Sequence, residues 1–212
     1  MERLIIIGDV HGCRCELEDL LNDLHLRESD NIIFLGDLVN NGPDSHGVVK
    51  LLRHLGAISL LGNHERRLLW FRRTGNPAIL KKQDHSTVAA LTKKDWDFMA
   101  RMPLTWQSPD HHLVLAHGGF LPHLPWQNQN ATVVTNLKFL PPEANPPHPK
   151  THWSEIWHGP PLVVYGHTPR PAVDYRRWAI GIDTGCYQGG QLTAFIWPEK
   201  SFRQVPARNK YA

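Results

Sequence analysis

The sequence predicts an α/β fold built on a mainly parallel sheet, and three observations carry that expectation. Short apolar runs alternate with stretches of helical periodicity from the N-terminus onward. The first three runs end in glycine followed by polar residues: Gly8-Asp9-Val10-His11-Gly12, Gly36-Asp37 and Gly62-Asn63-His64-Glu65. Three later runs end in His117-Gly118-Gly119, Gly166-His167-Thr168 and Asp183-Thr184-Gly185. At 212 residues the chain suits one well-cored domain, 1–212.

Leu4-Ile5-Ile6-Ile7 reads as a buried strand. Asp9 and His11, two residues apart on an extended chain, point to the same side. Cys13 to His25 follows as a helix, with Leu17, Leu20, Leu21 and Leu24 on one face. A second strand spans Asn31 to Leu35. After the Asn40-Asn41-Gly42-Pro43 turn, Asp44 or Ser45 caps a helix carrying Val48, Val49, Leu52 and Leu55. Ile58 to Leu61 is the third strand and Glu65 to Arg73 the third helix. Thr92-Lys93-Lys94-Asp95 has the form of a capping box before Trp96, and Pro103 bounds that helix. Arg66, Arg67, Arg72, Arg73, Lys81 and Lys82 make this region basic, as a solvated helix face would be.

Leu113 to Ala116 is the next strand. From Phe120 to Trp157 periodicity fades, and five prolines between Pro141 and Pro149 predict an extended loop without a packed core. Because strand-end motifs resume afterwards, 120–160 reads as an insertion within the domain. Leu162 to Tyr165 and Trp178 to Ile182 are further strands. Leu192 to Trp197 and Phe202 to Val205 form an antiparallel pair closing the sheet.

Composition limits the classes of function. No apolar run approaches the ~20 residues of a membrane span, and no secretory signal is visible, so a cytoplasmic location is expected. Cys13, Cys15 and Cys186 supply neither a disulfide framework nor a zinc knuckle. A net charge of +3 is too small to argue for nucleic-acid binding and is compatible with an anionic substrate. The 14 histidines point instead to metal ligation or acid–base work.

Ligand sites in open α/β sheets lie beyond the carboxyl ends of the strands, so the polar strand ends can converge. Carboxylates, imidazoles and one amide, with no cysteine among them, suit borderline divalent ions such as manganese, iron or zinc. The set suffices for two ions if one carboxylate bridges them, an arrangement used to hydrolyse phosphate esters and anhydrides.

On Gly8-Asp9-Val10-His11-Gly12, Gly36-Asp37, Gly62-Asn63-His64-Glu65, His117 and Gly166-His167, the chain resembles the calcineurin-like metallophosphoesterases, within them the phosphoprotein-phosphatase group. The resemblance implies a four-layer αββα sandwich with a dinuclear centre, two divalent ions, most simply manganese. By position Asp9 and His11 would hold the first ion, Asn63, His117 and His167 the second, and Asp37 both. A metal-bridging hydroxide would attack phosphorus in line, and His64 would protonate the leaving oxygen. Pro169 stands where nuclease-like branches carry the second histidine of Gly-His-x-His.

Protein phosphatases of this group usually read Gly-Asp-x-Val-Asp-Arg-Gly, whereas this chain has Asn40 and Asn41 in place of the aspartate and arginine. Symmetrical diadenosine tetraphosphate hydrolases and the related ApaH-like phosphatases also lack that aspartate and carry Gly-Pro after the turn. Asp44-Ser45, Ile182 to Cys186 and Gly189 to Thr193 resemble that branch too. With the usual arginine missing, Asn41, Arg66, Arg67, Lys138, Arg170 and Tyr187 are the candidates for holding substrate. Tyr187 with Trp126, Trp153 and Trp157 offers stacking for an adenine, although packing is the simpler role for the tryptophans. The expected activity is hydrolysis of phosphoanhydrides in dinucleoside polyphosphates. The alternatives are a protein phosphatase or general phosphomonoesterase on the same centre, or a non-catalytic metal-binding partner protein.

Overall fold

The computed structural model describes residues 3–110, 112–144 and 146–212. Strands β1 (Leu4–Ile7), β2 (Asn31–Phe34) and β3 (Ile58–Ser59) run parallel, as their alternation with helices requires. Antiparallel pairing of β9 (Gln191–Trp197) with β1, and of β10 (Ser201–Pro206) with β9, completes a first five-stranded sheet. A second contains β4 (Thr105–Gln107), β5 (Leu113–Ala116), β6 (Leu162–Tyr165), β8 (Ala179–Gly181) and β7 (Asp174–Tyr175) in that order. Its central strands β5, β6 and β8 are parallel, and the edge strands β4 and β7 are antiparallel. The one mainly parallel sheet read from local pattern is therefore two sheets, in the sandwich the resemblance implied. The edge strands β4 and β7, of three and two residues, are too short to show alternation.

Burial explains the uninterrupted apolar runs. Ile5 and Ile7 face the helices, while Leu4 and Ile6 face the second sheet. On the second sheet Leu113, Leu115, Leu162 and Val164 point inward to the same inter-sheet core, and Val114, Ala116, Val163 and Tyr165 point outward. Both faces of the central strands are covered, so neither face is polar.

Helices α1 (Arg14–Asp23), α2 (Ser45–Leu55) and α3 (Asn63–Thr74) follow the first three strands. The Asp44 carboxylate accepts from the Gly47 N–H at 2.7 Å and fixes the start of α2. Helix α3 begins two residues earlier than its apolar pattern suggested, because Asn63 and His64 form its first turn. Two elements between them and the next strand escape sequence reading: a 3-10 turn at Pro77–Ile79 and helix α4 (Asp84–Ala90). The expected capping box opens α5 (Lys93–Met99), with the Thr92 N–H donating to Asp95 at 2.8 Å.

The 120–157 stretch corrects an expectation. It carries helices α6 (Ala131–Asn136) and α7 (Trp153–Ile156), and packs Phe120, Val134, Leu140, Trp153 and Trp157 onto the outer face of the second sheet. It is a fourth layer with its own core rather than an unpacked loop. Its apolar anchors are spaced irregularly among prolines, so no period betrays them. Trp153 is fully buried and Trp157 nearly so, which removes both from adenine stacking; Trp126 packs against the same cluster. Among the described residues no helix is long and apolar enough to cross a membrane.

Candidate metal centre

The carboxyl ends of β1, β2, β3, β5, β6 and β8 meet where the two sheets come together. Five site residues there, His11, Asp37, Asn40, Asn41 and His167, have φ between 49° and 71°. Left-handed backbone at a non-glycine costs roughly 1–2 kcal/mol, and its concentration here marks turns held by the surrounding structure. Two glycines in these turns leave no room for a side chain. A Cβ on Gly62 would collide with the Asp37 carboxylate, and one on Gly166 with that of Asp9.

Asp37 is the hub. Its Oδ2 lies 3.5 Å from His11 Nε2, 3.4 Å from His117 Nε2 and 4.0 Å from His64 Nε2. His11–Asp37–His64 and Asp37–His117–His167 each bring three ligand atoms within 4.8 Å of one another, and the two groups share Asp37. Asp9 sits 4.0 Å from His11 Nε2, and the N–H of His167 donates to both its oxygens at 3.1 Å. Asn63 Oδ1 is 3.0 Å from His117 Nε2. The six expected metal-ligating residues and His64 are thus brought together.

Backbone carbonyls choose which ring nitrogen faces inward. His117 Nδ1–H donates to the Leu35 carbonyl at 3.0 Å and His11 Nδ1–H to that of Val39 at 3.1 Å, which leaves each Nε2 toward Asp37. His167 is turned the other way: its Nε2 meets the Asn136 carbonyl at 3.1 Å, so Nδ1 remains available. For His117 this sets an imidazole lone pair against Asn63 Oδ1 and Asp37 Oδ2. Three acceptors converging without a donor call for a proton or a cation between them.

The charges agree. Asp9, Asp37 and Asp183 are all buried, and among the described residues no lysine or arginine pairs with any of them. Burial, and then the Asp183 charge, raises Asp9 well above the usual carboxylate range. Burial acts against ionised Asp37 too, but the rings of His117, His64 and His11 outweigh it and hold that carboxyl well below the range. His117 loses to burial and gains more from Asp37 and Asp9, which push it up to about 10. The raised His117 favours a proton in the space among His117, Asp37 and Asn63. Buried carboxylates and imidazoles without a cationic side chain fit a divalent ion at that point.

A model of the calcineurin-like phosphoesterase family matches residues 2–196. The chain belongs to that family. A relative from Oceanobacillus iheyensis, named bis(5'-nucleosyl)-tetraphosphatase PrpE [asymmetrical], is 33% identical over 99% of this chain and 94% of its own. A symmetrical bis(5'-nucleosyl)-tetraphosphatase from Erwinia tasmaniensis is 25% identical, covering 97% of each chain. A solved structure provisionally named a diadenosine tetraphosphatase superposes with a TM-score of 0.86 at 35% identity, covering 98% of this chain and 95% of that one. This phosphoesterase is accordingly a hydrolase of a metal-dependent family.

The expected substrate-side residues surround the phosphoesterase centre unevenly. The Asn41 amide reaches His11 Nδ1 at 3.3 Å, and the Tyr187 ring meets that of His11 edge-on at 4.6 Å. Arg66 donates to Thr132 Oγ1 at 2.9 Å beside Asn63. The charge of Lys138 bears on His167 and His152, while that of Arg170 bears on His152. Arg170 Nε is buried without a hydrogen-bond partner among the described residues. Arg67 is committed elsewhere, with two 2.7 Å bonds to Asp84 and its Nη2 3.3 Å from His64 Nδ1.

Two residues had more to do than sequence reading gave them. Glu65, fully buried, accepts from the backbone N–H groups of Asp37, Leu38, Val39 and Gly62 at 2.8–3.2 Å. Burial and the Asp37 charge push its carboxyl up to about 7. It ties the Asp37 turn to the start of α3; its place in Gly62-Asn63-His64-Glu65 was the available signal. Asn40 donates to His64 Nδ1 at 2.9 Å, while its buried Oδ1 has no partner among the described residues.

Proposed function

We propose that this phosphoesterase hydrolyses phosphoanhydride bonds of dinucleoside polyphosphates at a dinuclear centre. The sharing of Asp37 between two histidine groups carries this reading. Asp9 and His11 would hold one ion, Asn63, His117 and His167 the other, and Asp37 both. Divalent ions bound there, manganese in the first instance with iron or zinc as alternatives, would generate a nucleophile from water and neutralise phosphoryl oxygens.

The protein's own groups supply the rest. The Asn40 amide and Arg67 both donate toward His64 Nδ1, so the ring keeps its proton on Nε2, facing Asp37 and the centre. Doubly protonated, the ring can give that Nε2 proton to the leaving oxygen and return to its neutral form. Turning the Asn40 amide over would let its free Oδ1 accept from Nδ1–H when the ring is doubly protonated. Asn40 brings no negative charge to support an imidazolium, so less of His64 carries a second proton near neutral pH than in an aspartate-backed histidine. A phosphate leaving group, which needs little protonation, tolerates a scarcely populated acid better than a serine alkoxide does. That chemistry, and the names of the relatives, favour anhydrides over phosphoproteins.

Room for an extended substrate lies on both sides. A groove of about 910 Å³ opens beside the centre between Asn41, Tyr187, Lys82 and Lys210. Another, of about 430 Å³, opens at Asn63. The test is a parallel assay of manganese-loaded protein on diadenosine tetraphosphate, p-nitrophenyl phosphate and a phosphopeptide, with nucleotide products resolved. Preference for the dinucleotide by kcat/KM is expected. A preference for phosphopeptide would overturn the substrate assignment, and no turnover with metal bound would favour a binding protein.

A further inference from the structure

The groove at Asn63 has a composition that the metal centre does not explain. Along α3, Asn63, Arg66, Arg67 and Trp70 stand at i, i+3, i+4 and i+7, forming one stripe. It runs outward for about 10 Å from a proposed metal ligand to an indole, at 1.5 Å rise per residue. Trp70 is 47% exposed. Lys81 and Asn136 close the opposite wall, and Asn136 is the residue whose carbonyl orients His167. A continuing groove of about 310 Å³ shares Arg66 and Trp70 and adds Arg73, whose guanidinium lies 5.7 Å from the Trp70 ring centroid.

The charges in this groove are not equally available. Arg67 is neutralised by its paired bonds to Asp84. Arg66 is held toward the groove by the neutral Thr132 hydroxyl, and among the described residues no carboxylate pairs with it. Lys81 is exposed, and its backbone N–H donates to the Asp84 carboxylate. Two uncompensated cations followed by an aromatic ring match the order of groups in a nucleoside polyphosphate: phosphates, then a base.

We propose that the α3 groove is the subsite for one nucleoside-phosphate arm of the substrate, with Arg66 and Lys81 on the phosphate chain and Trp70 stacking on the base. This rests on the phosphoanhydride reading above. Base–aromatic stacking is tolerant of base identity, so the subsite would favour a nucleotide over a bare phosphate without selecting adenine strongly.

Trp70→Ala, Trp70→Phe and Arg66→Ala/Lys81→Ala test it, with diadenosine tetraphosphate and p-nitrophenyl phosphate as substrates. A methylene-bridged diadenosine tetraphosphate analogue is titrated calorimetrically in parallel. Trp70→Ala is expected to lower the ratio of kcat/KM for the dinucleotide to that for the aryl phosphate about tenfold, mainly through KM. Trp70→Phe should recover most of that loss, and the double variant should weaken analogue binding by at least as much. If wild-type protein cleaves the dinucleotide and Trp70→Ala leaves both the ratio and analogue affinity unchanged, the subsite is refuted while the activity stands. If wild-type protein cleaves only the aryl phosphate, the underlying reading fails and takes the subsite with it.

Discussion

The two sheets bring their residues to the centre in different ways. The first sheet supplies Asp9, His11, Asp37, Asn63 and His64 from the turns after three successive parallel strands. The second supplies His117, His167 and Asp183, one each after β5, β6 and β8. Their supports differ as well. On the first side a buried carboxylate, Glu65, gathers four backbone N–H groups, so adjoining motifs hold one another. On the second side a buried indole does the bracing: Trp153 Nε1–H donates to the Gly118 carbonyl at 3.0 Å, beside His117. Polar bracing keeps ligands and supports within short motifs, while aromatic bracing draws on a segment that carries no motif.

The sharpest way to break this comparison is at the residue both sides use. Asp37→Asn is expected to lower turnover by about 10³-fold or more and to abolish stoichiometric metal, whereas His117→Gln should retain about half the metal by elemental analysis if the second sheet serves one ion. Equal metal loss in the two variants would remove the shared-carboxylate arrangement. His64→Ala should cost about 10²–10⁴-fold in kcat with metal content intact; undiminished turnover would dismiss it as the acid.

The braces should differ in kind. Glu65→Gln replaces one carboxylate oxygen by an N–H donor facing backbone donors, and should destabilise by about 1–3 kcal/mol in urea titration. Trp153→Phe deletes the bond to Gly118 and should cost a similar or smaller amount while leaving the Asp37 side able to bind one ion. Loss of all metal in Trp153→Phe would show that the two halves are not separately supported.

A further effect is expected in the pH dependence of the chelated protein. His117, raised to about 10, contributes stability that is fully present below its unfolded value of about 6.5 and lost as pH rises toward 10. Burial does the reverse to His64 and His152, each lowered to about 4, and to His167, lowered to about 3. The unfolded chain takes up protons that these rings refuse, so stability falls as pH drops below about 6.5. Glu65, raised to about 7, and Asp9 offset that loss by keeping protons that the unfolded carboxyls give up. The clear change is therefore alkaline: urea midpoints should fall above about pH 6.5, and bound metal should flatten the fall by replacing the proton at His117. An unchanged midpoint from about pH 7 to 9 without metal would contradict the proton assigned there.

Much of this site was legible in advance for a local reason. Strand runs ending in Gly-Asp or Gly-His are contiguous in sequence, and a strand's direction fixes where its end points. The amino-acid sequence alone thus determined the α/β class, the positions of the carboxylates and imidazoles that converge at the strand ends, and the departure at Asn40 and Asn41. Tertiary structure decided the rest. It split the strands into two sheets, turned His167 opposite to His117, joined Arg67 to Asp84 across 17 residues, and made a packed layer of 120–157. Each of these depends on contacts between segments far apart in the chain, where side-chain direction and burial follow from neighbours that no local period records.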